Sequence, residues 1–202
     1  LGLEKILEYL KKFGLANTLG IDLPGETAGF IPSREWKEDV KKERWYIGDT
    51  YNLSIGQGDL LVTPLQVANY TAIIANGGTS FQPHIVKSIE NVETKEQINV
   101  EPRVIEKNIL PDSVLKIMRE GMRATVTSGS AQSLNTLPLA VAGKTGTAQW
   151  SSKHLPHAWF TGFATYDDPQ IVLTILIEEG GEGSQAAVPV ARQIFDWWAK
   201  NR

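Results

Sequence analysis

Apolar side chains return every three or four residues at the start of the chain: Leu3, Ile6, Leu7, Leu10 and Phe13. That period puts them on one stripe of a helix, and Gly14 suits the stop that follows, so residues 2 to 13 read as an amphipathic helix. A turn is expected at Pro24-Gly25. No period emerges between there and Thr63-Pro64, and this middle stretch reads as irregular. At Thr63 an N-cap residue stands directly before a proline suited to the first helical position. The helix so begun carries Val67, Ala68, Thr71, Ala72 and Ile74 and ends at Asn76-Gly77-Gly78. A third helix is expected from Pro111-Asp112-Ser113, with Val114, Leu115, Ile117, Met118 and Met122.

The period then changes. Residues 139 to 149, 158 to 166 and 170 to 178 read as three strands, the last rich in β-branched side chains. Asp167-Asp168-Pro169 turns between the second and third, and so short a connection favours antiparallel pairing. After the glycine-rich residues 180 to 183, a final helix carries Val188, Ala191, Ile194, Phe195 and Trp198 on one side, and Trp197-Trp198 read as packing and amphipathic edge residues. The expected fold class is α+β, an antiparallel sheet flanked by helices. Within it, residues 1–135 are expected to be mainly helix and loop, and residues 136–202 to hold the strands and the terminal helix.

Composition narrows the function. The chain has 202 residues, 42% of them hydrophobic, enough for a globular core. Its 20 basic and 23 acidic residues give a net charge of −3 with no basic stripe, which argues against a nucleic-acid partner. Cysteine is absent, so disulfides and thiolate metal sites are excluded. His84, His154 and His157 lack ligand spacing, and no metal site is expected. No apolar run approaches the roughly 18 residues that a membrane helix needs.

The chemistry concentrates in Gly143-Lys144-Thr145-Gly146-Thr147-Ala148-Gln149. A phosphate-binding loop would need glycine at position 138, which is Pro138, and a helix directly after the lysine, where Gly146 intervenes. The alternative is the Lys-Thr-Gly strand of serine acyltransferases that act on β-lactams and D-Ala-D-Ala peptides. A ligand carboxylate needs a fixed cation and hydroxyl donors, which Lys144, Thr145 and Thr147 can supply. Gly146 leaves a strand edge open to the ligand. The backbone N–H of Thr147 can then meet a developing oxyanion.

The flanking blocks carry a resemblance. Leu19-Gly-Ile-Asp-Leu-Pro-Gly-Glu26 is similar to a signature of class B penicillin-binding proteins, departing from it at Leu19. Ser54-Ile-Gly-Gln-Gly58, Val62-Thr-Pro-Leu-Gln-Val-Ala68 and Ala75-Asn-Gly-Gly78 follow in family order. So do His157-Ala-Trp-Phe-Thr-Gly-Phe-Ala164 and Val188-Pro-Val-Ala-Arg-Gln-Ile-Phe195. The chain thus resembles the C-terminal part of that family's transpeptidase domain, in the branch called penicillin-binding protein 2. The resemblance implies a periplasmic D,D-transpeptidase that cross-links peptidoglycan and is held at the bacterial inner membrane by a segment outside this sequence. It implies stem peptides and β-lactams as ligands, and a shape-determining glycosyltransferase with the elongation machinery as partners. It implies neither cofactor nor metal.

The family also uses a Ser-x-x-Lys nucleophile and a Ser-x-Asn loop, both of which precede, in family order, the region starting at Leu1. The residues here are therefore expected to be inactive alone. Ser113-Val-Leu-Lys116 and Ser133-Leu-Asn135 fit these patterns but stand too late in the order, and Asp112-Ser113 reads better as a helix start. A non-catalytic β-lactam sensor or scaffold of the same fold is the alternative, and a nucleotide hydrolase a third class, testable by nucleotide-induced thermal shift.

Overall fold

The computed structural model describes residues 2–202. Helix α1 (Leu3–Lys12) buries Leu3. It ends where Gly14 turns to φ +82° and the Leu15 N–H reaches back to Leu10 O at 3.0 Å, a closure that a side chain at 14 would strain. The segment between α1 and the next helices has almost no regular structure, so its backbone is satisfied by carboxylates. Glu26 accepts the N–H groups of Leu19, Gly20 and Ile21, and Asp22 accepts those of Ile85 and Val86 at 2.8 and 2.9 Å. These two bonds hold the Asp22 carboxyl below the usual carboxylate range.

The stretch expected to be irregular contains two helical pieces. Helix α2 (Arg34–Trp36), capped by the Ser33 hydroxyl, widens into a π-turn at Lys37–Lys41. Helix α3 (Ile47–Ser54) follows. Lys37 is buried and grips Asp49 through both carboxylate oxygens at 2.8 and 2.7 Å. Burial pushes Asp49 up, but this ammonium and the Tyr46 N–H outweigh it and leave the carboxyl below its ordinary value.

Helix α4 (Pro64–Ala75) is the central helix. Thr63 and Gln66 form a reciprocal capping box with Pro64 at the first helical position. Gln66 is buried, and its amide also donates to Asn17 O at 3.0 Å and Ala28 O at 2.7 Å, which ties the irregular segment to the helix.

Two small antiparallel pairs then stand where helix and loop were expected: β1 (Ser80–Phe81) with β4 (Val104–Glu106), and β2 (Ser88–Glu90) with β3 (Gln97–Asn99). Helix α5 (Asp112–Thr127) and a 3-10 turn at Gln132–Thr136 lead into the main sheet. Strands β5 (Val141–Ala148), β6 (His157–Ala164) and β7 (Ile171–Ile177) are antiparallel in the order β5-β6-β7. Helix α6 (Ala187–Asn201) packs Val188, Ala191 and Phe195 against Val141, Ala158, Phe160 and Ile175 on one face of that sheet. Ala75 of α4 packs with Ala142 and Phe163 on the other. The architecture is the expected α+β arrangement. Trp198 packs against the α6 core, and Trp197 beside it is 64% exposed.

Candidate functional site

Among the described residues β5 is an edge strand, so one side of it carries backbone groups that no neighbouring strand takes up. Three bonds show which residues those are. Arg123 Nη1 donates to Val141 O at 2.7 Å, Lys144 Nζ to Thr145 O at 2.7 Å, and Gln57 Nε2 to Thr147 O at 2.9 Å. Odd-numbered residues therefore turn outward. In an antiparallel ladder the N–H and C=O of one residue leave on the same side, so the Thr147 N–H also faces the open edge. Gln57 extends the frame by accepting the Gln149 N–H at 3.3 Å. The open stretch, Gly143 to Thr147, thus lies between a guanidinium at one end and a side-chain amide at the other.

The side chains obey the same alternation. Thr145 and Thr147 lie in register with Phe160 and Ala158, which places them on the α6 face. Lys144 pairs with Thr161 and leaves on the opposite face. The ammonium is exposed, curls over the edge to the Thr145 carbonyl, and forms no ion pair among the described residues. Under the strand, the buried hydroxyls of Thr71 and Thr161 meet at 2.8 Å, and Thr161 meets Thr174 at 2.8 Å.

Both threonine hydroxyls of β5 already have partners. Ser130 Oγ lies 2.6 Å from Thr145 Oγ1, and the Thr147 hydroxyl donates to Glu182 Oε2 at 3.0 Å. Ser130, Glu182 and Gln57 were not singled out as site residues by sequence reasoning, although Gln57 lies in one of the blocks that carried the resemblance. Room for a side chain is short at three glycines. A Cβ at Gly143 would stand 2.6 Å from the Phe160 ring, one at Gly146 would stand 3.1 Å from Trp159 Cβ, and one at Gly183 would stand 2.3 Å from Gly146 O. The site is therefore a bare strip of backbone pressed between Trp159 on one face and Gly183 on the other.

The residues set aside by their order lie on α5 and in the 3-10 turn, not on β5. Ser113 is exposed in the first turn of α5, and Lys116 approaches Glu120 at 4.0 Å. Ser133 lies in the 3-10 turn, and Asn135 accepts a bond from Arg123 at 3.1 Å. His157 opens β6, accepts the Glu179 N–H through Nδ1 at 3.0 Å and stacks on Trp150. His154 lies 3.3 Å from Glu179. Among the described residues no three metal-ligating side chains cluster, and no helix is long and apolar enough to cross a membrane.

The sequence profile of the penicillin binding protein transpeptidase domain matches residues 1–196. The chain belongs to that family. Peptidoglycan D,D-transpeptidase MrdA of Acinetobacter baumannii is 34% identical over 216 aligned positions, which take in 100% of this chain and 32% of the relative. The protein of the same name from Haemophilus influenzae is 36% identical, covering 100% and 34%. Penicillin-binding protein 2 of Pseudomonas aeruginosa, solved in complex with WCK 5153, superposes with a TM-score of 0.80 at 34% identity, over 98% of this chain and 43% of that one. Penicillin-binding protein 2 of Helicobacter pylori, solved in complex with MreC, gives 0.81 at 31% identity, over 100% and 37%. The chain spans about a third of the length of the curated relatives it matches.

Proposed function

We propose that this chain forms the Lys-Thr-Gly side of the cleft of a peptidoglycan D,D-transpeptidase of the penicillin-binding protein 2 type. The observation that carries the reading is the open edge of β5, framed by Arg123 and Gln57, with the Thr147 N–H on it and beside it the Lys144 ammonium, which has no ion-pair partner among the described residues. The ligand is a D-Ala-D-Ala stem peptide or a β-lactam. Its carboxylate lies near Lys144 and Thr145, and its reacting carbonyl oxygen lies toward the Thr147 N–H. A serine from the remainder of the protein attacks that carbonyl, and the N–H stabilises the oxyanion, a contribution of about 2.7–4 kcal/mol per donor. Neither Ser113 nor Ser133 is the nucleophile, and residues 1–202 alone take no covalent label. The full protein works at the periplasmic face of the inner membrane with a shape-determining glycosyltransferase and an MreC-like scaffold. The solved Helicobacter complex with MreC supports that partner.

The test is acylation of the full-length protein by a fluorescent penicillin. A charge-assisted hydrogen bond contributes about 1.5–3 kcal/mol, so Lys144→Ala is expected to slow labelling roughly 10- to 100-fold with the melting temperature unchanged. Wild-type kinetics in that variant would refute the assignment. Acylation-incompetent wild-type protein that still binds β-lactam would favour the sensor or scaffold.

A further inference from the structure

A hydroxyl has one proton to give, and the two threonines of the β5 edge differ in where that proton is already committed. Thr147 Oγ1 donates to Glu182 Oε2 at 3.0 Å, and a carboxylate can only accept. The Gly183 N–H approaches the same oxygen at 3.5 Å. Thr147 therefore presents lone pairs, not a proton, to anything arriving at the edge. Thr145 is different. Among the described residues its one hydroxyl partner is Ser130, 2.6 Å away, and either oxygen can be the donor.

The placement of Ser130 is built into the fold. It follows Gly129, where a Cβ would stand 2.8 Å from Thr125 Cα and 3.0 Å from Thr125 O, so no other residue fits that turn unaltered. It precedes Ala131, which is 1% exposed and whose N–H donates to Thr125 O at 3.0 Å. The Ser128 N–H donates to Ala124 O at 2.9 Å. The hydroxyl is thus held by a glycine with no spare room on one side and a core alanine on the other. It is delivered to the rim of β5 from the end of α5, fifteen residues away in sequence.

We infer that Ser130 is a positioning residue for the ligand carboxylate: it donates to Thr145 Oγ1 and so directs the Thr145 proton at the anion. The inference rests on the proposed reading of the β5 edge as the carboxylate side of the cleft. With Thr145 as the hydroxyl that meets the anion, only one arrangement of the two protons points a proton at the charge: Ser130 to Thr145, and Thr145 to the carboxylate. Hydrogen bonds in such a chain polarise one another, and the terminal bond to an ion is the strong one. Ser130 does not touch the ligand. Its effect is confined to ligands that carry the negative charge.

The full-length protein is acylated by benzylpenicillin and, separately, by its neutral methyl ester, in the wild type and in Ser130→Ala, Ser130→Thr and Lys144→Ala. In Ser130→Ala the rate with the free acid is expected to fall about tenfold, the scale of one charge-assisted hydrogen bond, while the rate with the ester stays as in the wild type. Ser130→Thr keeps the hydroxyl and should restore the preference for the acid. Equal loss with acid and ester, no loss with either, or failure of threonine to rescue would overturn the inference while a slowed Lys144→Ala leaves the site reading intact. A wild-type protein that takes no label, or a Lys144→Ala protein labelled at the wild-type rate, would overturn the site reading and this inference with it.

Discussion

The side-chain amide of Gln57 donates to the carbonyl of Thr147 at 2.9 Å across ninety residues of sequence, and its oxygen accepts the Gln149 N–H at 3.3 Å. One side chain thereby occupies the place a neighbouring strand would take. It closes the edge of β5 beyond Thr147 and leaves the edge before it open.

If Gln57 fixes the end of that edge, Gln57→Ala should loosen it. The Gln149 amide, which now donates to Gln57, should exchange with deuterium faster than in the wild type, and acylation of the full-length protein should slow about tenfold, as for loss of a hydrogen bond of 1–1.5 kcal/mol. Unchanged exchange at Gln149 would show that the clamp does not hold the strand.

Gln66 is a stability position. It is 1% exposed and serves Thr63 N, Asn17 O and Ala28 O at 2.7 to 3.0 Å. Gln66→Leu nearly keeps the volume and strands these three backbone groups at about 1–3 kcal/mol each, so a loss of about 3 kcal/mol or more is expected in a urea titration. Trp197→Ala, on an exposed side chain, should change stability by about 0.5 kcal/mol or less.

The parts of the fold that were legible in sequence are those with a full period and a chemical stop. The N-cap Thr63 with Pro64, the glycines after α1 and α4, and the change of period into β5, β6 and β7 are local signals, and each element formed near its expected bounds. Helix α3 was not legible because its pattern is inverted: Thr50 and Leu53 are buried while Ile47 and Tyr51 face outward. The pairs β1–β4 and β2–β3 use strands of two or three residues, too short to show a period. In the candidate site the motif itself was legible, but its partners were not. Gln57, Ser130 and Glu182 reach β5 from 90, 15 and 35 residues away, and sequence spacing carries no information about such encounters. The shared face of Thr145 and Thr147 was legible from the period of two, but not that Glu182 takes the proton of Thr147 while Thr145 meets Ser130.

Acid should destabilise the fold through its bonded carboxylates. Asp22 and Asp49 are held below the usual carboxylate range by backbone N–H groups and, for Asp49, by Lys37. A carboxyl depressed in the folded state adds stability that is present above its unfolded pKa and lost as pH falls through the folded one. The melting temperature should therefore be level near neutral pH and drop below about pH 4, the range of a free aspartate. In Asp22→Asn the drop should be shallower, with a lower starting value at pH 7. An acid limb of unchanged depth in that variant would remove Asp22 from the account.

Whether the open edge of β5 receives the ligand is decided by a crystal structure of the full-length protein acylated by a penicillin. The ligand carboxylate is expected within hydrogen-bond reach of the Thr145 hydroxyl, with Lys144 beside it. The acyl carbonyl oxygen is expected about 2.7–3.1 Å from the Thr147 nitrogen, the spacing of an oxyanion donor. A ligand bound away from β5, or another strand of the protein paired along the outer edge of Thr145 to Thr147, would contradict that placement.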